Sequence, residues 1–80
     1  MPQSQTSALE RIARVLAGQR LSANADGYDQ HAANAVDMAW EQYLGDALAV
    51  LNTLREPDER MAAAGDEHVW RRMIAAAVDQ

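Results

Sequence analysis

Apolar residues recur at three- and four-residue spacing in three stretches of the chain, and each stretch predicts an amphipathic helix. In the first, Leu9, Ile12, Ala13 and Leu16 form one stripe. Ser7 followed by Glu10 marks its start as a capping box, in which a serine oxygen and a glutamate carboxylate each satisfy an otherwise orphaned amide donor. Residues 1–5 carry no apolar period and are expected to be a frayed tail ahead of a single domain spanning 6–80. Gly18 is expected to loosen or end the first helix, and Ser22 to Gly27 reads as a loop whose one large apolar anchor is Tyr28.

The second stretch is the longest. Val36, Trp40, Tyr43, Leu44, Ala47, Leu48, Leu51 and Leu54 share one face at about 100° per residue, which predicts a central helix from about residue 32 to Arg55. Pro57 should stop it and open a short helix at its first position. Asp58 and Glu59 then fall where the positive end of that helix welcomes carboxylates. The short helix turns Met61 and Ala64 inward, and Gly65 is expected to close it with a left-handed cap. Asp66 caps the third stretch, in which Val69, Trp70, Met73, Ile74, Ala77 and Val78 repeat at helical spacing.

These elements define an all-α fold, a small compact bundle of three to four helices around one long central helix. Its expected core is Leu9, Ile12, Leu16, Val36, Trp40, Leu44, Leu48, Leu51, Leu54, Met61, Trp70, Met73 and Ile74. Composition agrees, since alanine and leucine dominate the 49% of hydrophobic residues and head the helix scale. A chain of 80 residues buries only about 60% of its unfolded surface, so the core is thin and association is an available source of added stability.

Candidate chemistry is sparse. The chain has no cysteine, which excludes disulfides and thiolate metal sites. Of the two histidines, His31 and His68, each sits near a helix start beside acids and reads as a solvated terminus residue. Neither has the nucleophile and orienting group that a catalytic base requires. Asn24, Asp26, Asp29 and His31 crowd one loop, but with Gly27 at the sixth position of a calcium-binding loop the twelfth is Ala33 instead of a bidentate glutamate. The expectation is therefore a protein without catalysis, metal or cofactor. No secretory signal pattern opens the chain and no apolar run reaches the roughly 18 residues of a bilayer span, so no membrane is expected and the cytoplasm is the expected setting.

Charge narrows the partner. The net charge is −5, with +2 over residues 1–25 and −7 over the rest. Such a body is repelled by phosphate backbones and attracted to basic protein surfaces. A helix-turn-helix was weighed because Arg71 and Arg72 adjoin on the last helix, but Asp66 and Glu67 occupy the turn that would meet DNA. Two candidate surfaces remain. Glu56, Asp58, Glu59, Asp66 and Glu67 place five carboxylates within twelve residues, either to dock on basic side chains or merely to complement helix dipoles. Met38, Gln42, Gly45, Ala49 and Asn52 form an uncharged stripe on the central helix, either a dimer or partner face or a side covered by the chain's own neighbours.

The residues Leu54-Arg55-Glu56-Pro57, Met61, Ala64-Gly65 and Val69-Trp70-Arg71-Arg72-Met73-Ile74 resemble a pattern in small uncharacterised helical proteins of phages and prophages from GC-rich bacteria. That pattern joins an Arg-Glu-Pro motif, a methionine, an Ala-Gly step and a Trp-Arg-x-Met-Ile-Asp-Ala-Ala tail. It covers about half of this chain, which departs from it in carrying Ala75 for the tail aspartate and a short spacer from Gly65 to Trp70. The resemblance implies a phage accessory protein, such as an inhibitor of the anti-CRISPR class. Its expected partner is a host protein or ribonucleoprotein complex whose basic, nucleic-acid-binding surface it blocks. A helical phage structural or regulatory module acting as a homodimer is the alternative.

Overall fold

The structure is a computed structural model that describes residues 3–23 and 32–79. It is a compact all-α arrangement, and no strand occurs among the described residues. Helix α1 spans Ala8–Ala23, α2 Ala32–Ala39, α3 Leu44–Thr53, α4 Glu59–Ala64 and α5 Glu67–Val78, with a 3₁₀ turn over Trp40–Tyr43 between α2 and α3. The Asn24 to His31 loop, with its weighed and rejected calcium pattern and Tyr28, lies outside the described residues.

The start of α1 follows half of its predicted cap. The Glu10 amide donates to Ser7 Oγ at 3.0 Å, but the Glu10 carboxylate is taken by Arg14 Nε at 2.8 Å instead of reaching back to Ser7. Gly18 does not end the helix, which continues to Ala23. A β-carbon added at position 18 would sit 3.7 Å from Val36 Cγ2, an ordinary contact, so the helix has room for a side chain there and glycine does not break it.

The predicted central helix is present but not straight. Ala39 at φ −115° and Tyr43 at φ −103° bracket a tightened turn of three residues per turn, which takes α2 and α3 out of a single register. Arg14 explains what holds the bend. Its guanidinium lies 5.2 Å from the centre of the Trp40 ring and donates to both Glu10 and Asp37, tying α1 to α2 and to the turn. The hydrogen bond that Arg14 donates to Asp37, then the one it donates to Glu10, raises its pKa above the ordinary value. Stability linked to a raised pKa is present below the unfolded value and lost above the folded one, so the arginine stays charged throughout the neutral range.

Packing corrects the expected core. The fully covered positions are alanines, since Ala13, Ala17 and Ala47 are 0% exposed. Leu9, Leu51 and Ile74 are also buried, and Ile12, Leu16, Trp40, Tyr43, Leu44 and Leu48 pack around them as half-buried residues. Helix α1 lies along α2, the 3₁₀ turn and α3, while α5 packs on α3 and touches α1. Alanines at this crossing let the α1 and α3 backbones approach, so the seam is closed by small side chains with large ones flanking it. Leu54 and Met73, expected inside, are exposed instead. Leu54 falls past the end of α3, and Met73 projects from a side of α5 that no helix covers.

Helix α3 stops at Thr53, two residues earlier than predicted, and the Trp70 Nε1 proton is donated to the Leu54 carbonyl at 2.7 Å, fastening α5 to the end of α3. Pro57 does not occupy the first position of α4. Asp58 is the N-cap and Glu59 the first helical residue, so the proline stands outside and sets the entry. Gly65 adopts an extended backbone at φ −162°, not the left-handed cap predicted for it.

Candidate site: an acid-rimmed apolar groove between α4 and α5

Helix α4 is the least supported element, with no extensive packing against another helix among the described residues. Its short length and its capping explain how it forms at all. The Asp58 carboxylate accepts the Met61 amide at 2.9 Å, satisfying one of the donors a helix start leaves open. The Asp66 carboxylate does the same twice for α5, accepting the His68 amide at 2.8 Å and the Val69 amide at 3.2 Å. Two caps eight positions apart thus start the two helices, with Gly65 and Asp66 as the corner between them.

Between them lies an open groove of about 430 Å³, lined by Pro57, Met61, Ala64, Gly65, Asp66, Glu67, Val69, Trp70 and Met73. Three of its lining residues, Met61, Trp70 and Met73, belong to the core expected from the sequence pattern. Met61 and Trp70 are half-buried, whereas Met73 is 62% exposed and Val69 is also exposed. A second, more polar hollow of about 460 Å³ lies beside it. The segment from Gln3 to Ala8 lines it with Arg11, Ala76 and Ala77, and Met73 is shared by both hollows.

The five carboxylates of the 56–67 cluster surround this place in the chain. Asp66 and Glu67 line the groove itself, and Glu56 and Asp58 adjoin its Pro57 wall, with Glu59 next along α4. Glu56, Asp58, Glu59 and Asp66 are exposed and Glu67 is half-buried. The two readings of the cluster divide by residue. Asp58 and Asp66 do serve as caps, through one oxygen each, while Glu56, Glu59 and Glu67 make no side-chain hydrogen bond among the described residues. The ion pairs among those residues join Arg14 to Glu10 and Asp37, and none joins Arg55, Arg60, Arg71 or Arg72 to these acids.

The second candidate surface is also open. Met38, Gln42, Gly45, Ala49 and Asn52 are all exposed, Met38 at 87%, and a β-carbon on Gly45 would meet nothing within 4 Å. The chain's own helices therefore do not cover this stripe. It runs along α2, the 3₁₀ turn and α3.

For other chemistry the described residues offer little to assemble. No group of three or more His, Asp or Glu residues gathers among them in a way that would hold a metal ion. No described helix is long and apolar enough to cross a membrane. His68 is an exposed first-turn residue whose backbone amide serves the Asp66 cap. No family model, curated protein or solved structure matches the chain.

Proposed function

We propose that this chain is a protein-binding inhibitor of the kind phages and prophages direct against a bacterial defence complex, acting without catalysis from its α4–α5 corner. The observation that carries the reading is the coincidence of an open apolar groove with carboxylates that form no ion pair among the described residues. Apolar contact supplies affinity, and the acids supply orientation and steering toward a basic surface. The resemblance of residues 54–74 to phage and prophage proteins supports the setting, and a phosphate-binding surface of an anti-CRISPR-type target supplies the arginines and lysines that the acids would meet.

The test is biological and electrostatic together. Expression of the chain in bacteria whose interference complexes target a phage should restore plaques. The Asp58→Asn, Glu59→Gln variant, which keeps a capping side chain at 58, should restore fewer. Equal rescue by that variant discards the acidic mechanism, and absence of rescue in every host expressing folded protein discards the inhibitor reading.

A second reading has its own observation. The exposed, uncharged Met38 to Asn52 stripe suits a homodimeric structural or regulatory module. Light scattering at increasing concentration tests it, with Ala49→Arg as the variant that would dissociate such a dimer. A DNA-reading role for α4 and α5 is disfavoured by Asp66 and Glu67 at the start of the second helix.

A further inference from the structure

We infer that the 3₁₀ turn over Trp40–Tyr43 is a salt-sensitive hinge: the Arg14 guanidinium holds α2 and α3 out of one helix, and its release lets residues 32–53 close into a continuous one. Nothing local demands the break. Residues 39–44, Ala-Trp-Glu-Gln-Tyr-Leu, contain neither proline nor glycine, the usual causes of a helix kink, and the apolar period runs through them at straight-helix spacing. Ala39 and Tyr43, at the two ends of the turn, make no side-chain capping bond. The cause of the turn is therefore tertiary, and Arg14 supplies it from α1. Its Nε donates to Glu10, one turn back on the same helix, which fixes the guanidinium in place. Its Nη1 donates to Asp37 in α2, while Cζ lies 5.2 Å from the ring centre of Trp40, the first residue of the turn.

Helix α2 has little else to hold it. It packs on α1 and on the turn, makes no extensive contact with α3, α4 or α5 among the described residues, and none of residues 34–39 is fully buried. The tie itself is open to water, with 35% of the Arg14 side chain and 65% of that of Asp37 exposed, so dissolved ions screen it. A screenable tie set against a sequence that favours one long helix makes an element with two arrangements. The two differ in register. A 3₁₀ turn advances about 120° per residue against about 100° in an α-helix, so four residues of it rotate α3 by about 80° relative to α2. Met38 precedes the turn, Gln42 lies in it, and Gly45, Ala49 and Asn52 follow it. That uncharged row is broken while Arg14 holds and aligned when it lets go, so the hinge sets which surface α2 and α3 present together.

The test uses the full chain, isotope-labelled for NMR, and reads three-bond HN–Hα couplings and Cα shifts over residues 34–44. Spectra are compared at about 10 mM and about 1 M sodium chloride, between which the screening length falls from about 30 Å to about 3 Å. At low salt the couplings of Ala39 and Tyr43 should be large, as their φ of −115° and −103° requires. Arg14→Gln should bring both into the small α-helical range, and Asp37→Asn and high salt should each move them part of the way. Arg11→Gln, which removes an exposed arginine of α1 with no ion pair among the described residues, should leave them unchanged. If Arg14→Gln unfolds the chain, Asp37→Asn and salt decide. Couplings already small in the wild type at low salt, or unmoved by Asp37→Asn, by salt or by a folded Arg14→Gln, overturn the inference. So do coil-like shifts across residues 34–39, which would mean that α2 undocks instead of joining α3. The same change produced by Gly45→Ala alone overturns it too, since the glycine after the turn would then be its cause.

Discussion

The two ends of this molecule use apolar residues for opposite purposes. Where α1 crosses α3, the covered positions are Ala13, Ala17 and Ala47, and every large neighbour packs against that seam. At the α4–α5 corner the large residues Met61, Trp70 and Met73 line an open groove, and the acids around it go unpaired. The first region is closed by small side chains and has nothing left to offer a ligand. The second is built from side chains large enough for a core but has no helix to complete it. A small domain that nets only about 3–5 kcal/mol from its own core can keep such a surface open only if the rest of the fold does not depend on it.

That contrast can be broken by substitution, beginning at the seam. Leu51→Ala removes a buried side chain from the α1–α3 core and should cost about 3 kcal/mol, enough to leave much of the population unfolded in a thermal melt followed by circular dichroism. Asp66→Ala deletes the cap that orders the first turn of α5 and should cost about 1 kcal/mol in urea denaturation, while Asp66→Asn should stay within a few tenths of wild type. Gly65→Ala should be neutral or stabilise by about 0.5 kcal/mol, because the backbone there is extended and an added β-carbon meets nothing within 4 Å. Met73→Gln should move the urea midpoint least, within about 0.5 kcal/mol, despite lying in the apolar repeat of α5. A Met73→Gln variant as damaged as Leu51→Ala would mean that the groove is a second core and the contrast is false.

Much of the architecture was legible in the residues, and the exceptions share a cause. The caps at Ser7 and Asp66 were readable because a short polar side chain before an apolar period has few other uses, whereas Asp58 was placed inside the helix by starting it at Pro57 and is its N-cap. The helices were readable from their stripes. The alanine seam was not, since a hydrophobic pattern weights size, and a close helix crossing requires its absence at Ala17 and Ala47. Gly18 misled because a single glycine costs a helix only about 1 kcal/mol, which α1 tolerates as it runs on to Ala23.

The candidate site was half readable. Its carboxylates stood out as a cluster, but its apolar half was assigned to the interior, because an apolar stripe looks the same whether it faces a neighbour or a missing one. Met73 and Val69 carry the period of a buried face, and only the absence of a helix against that side of α5 shows them to be surface. The Met38 to Asn52 stripe had been left between two readings, and its exposure removes the one in which the chain covers itself.

Amide hydrogen exchange across the free chain tests the central claim most directly. The account predicts that α1 and α3 are slowest to exchange and that α4 and the first turn of α5 exchange quickly. Amides of α4 as slow as those flanking Leu51 would contradict it.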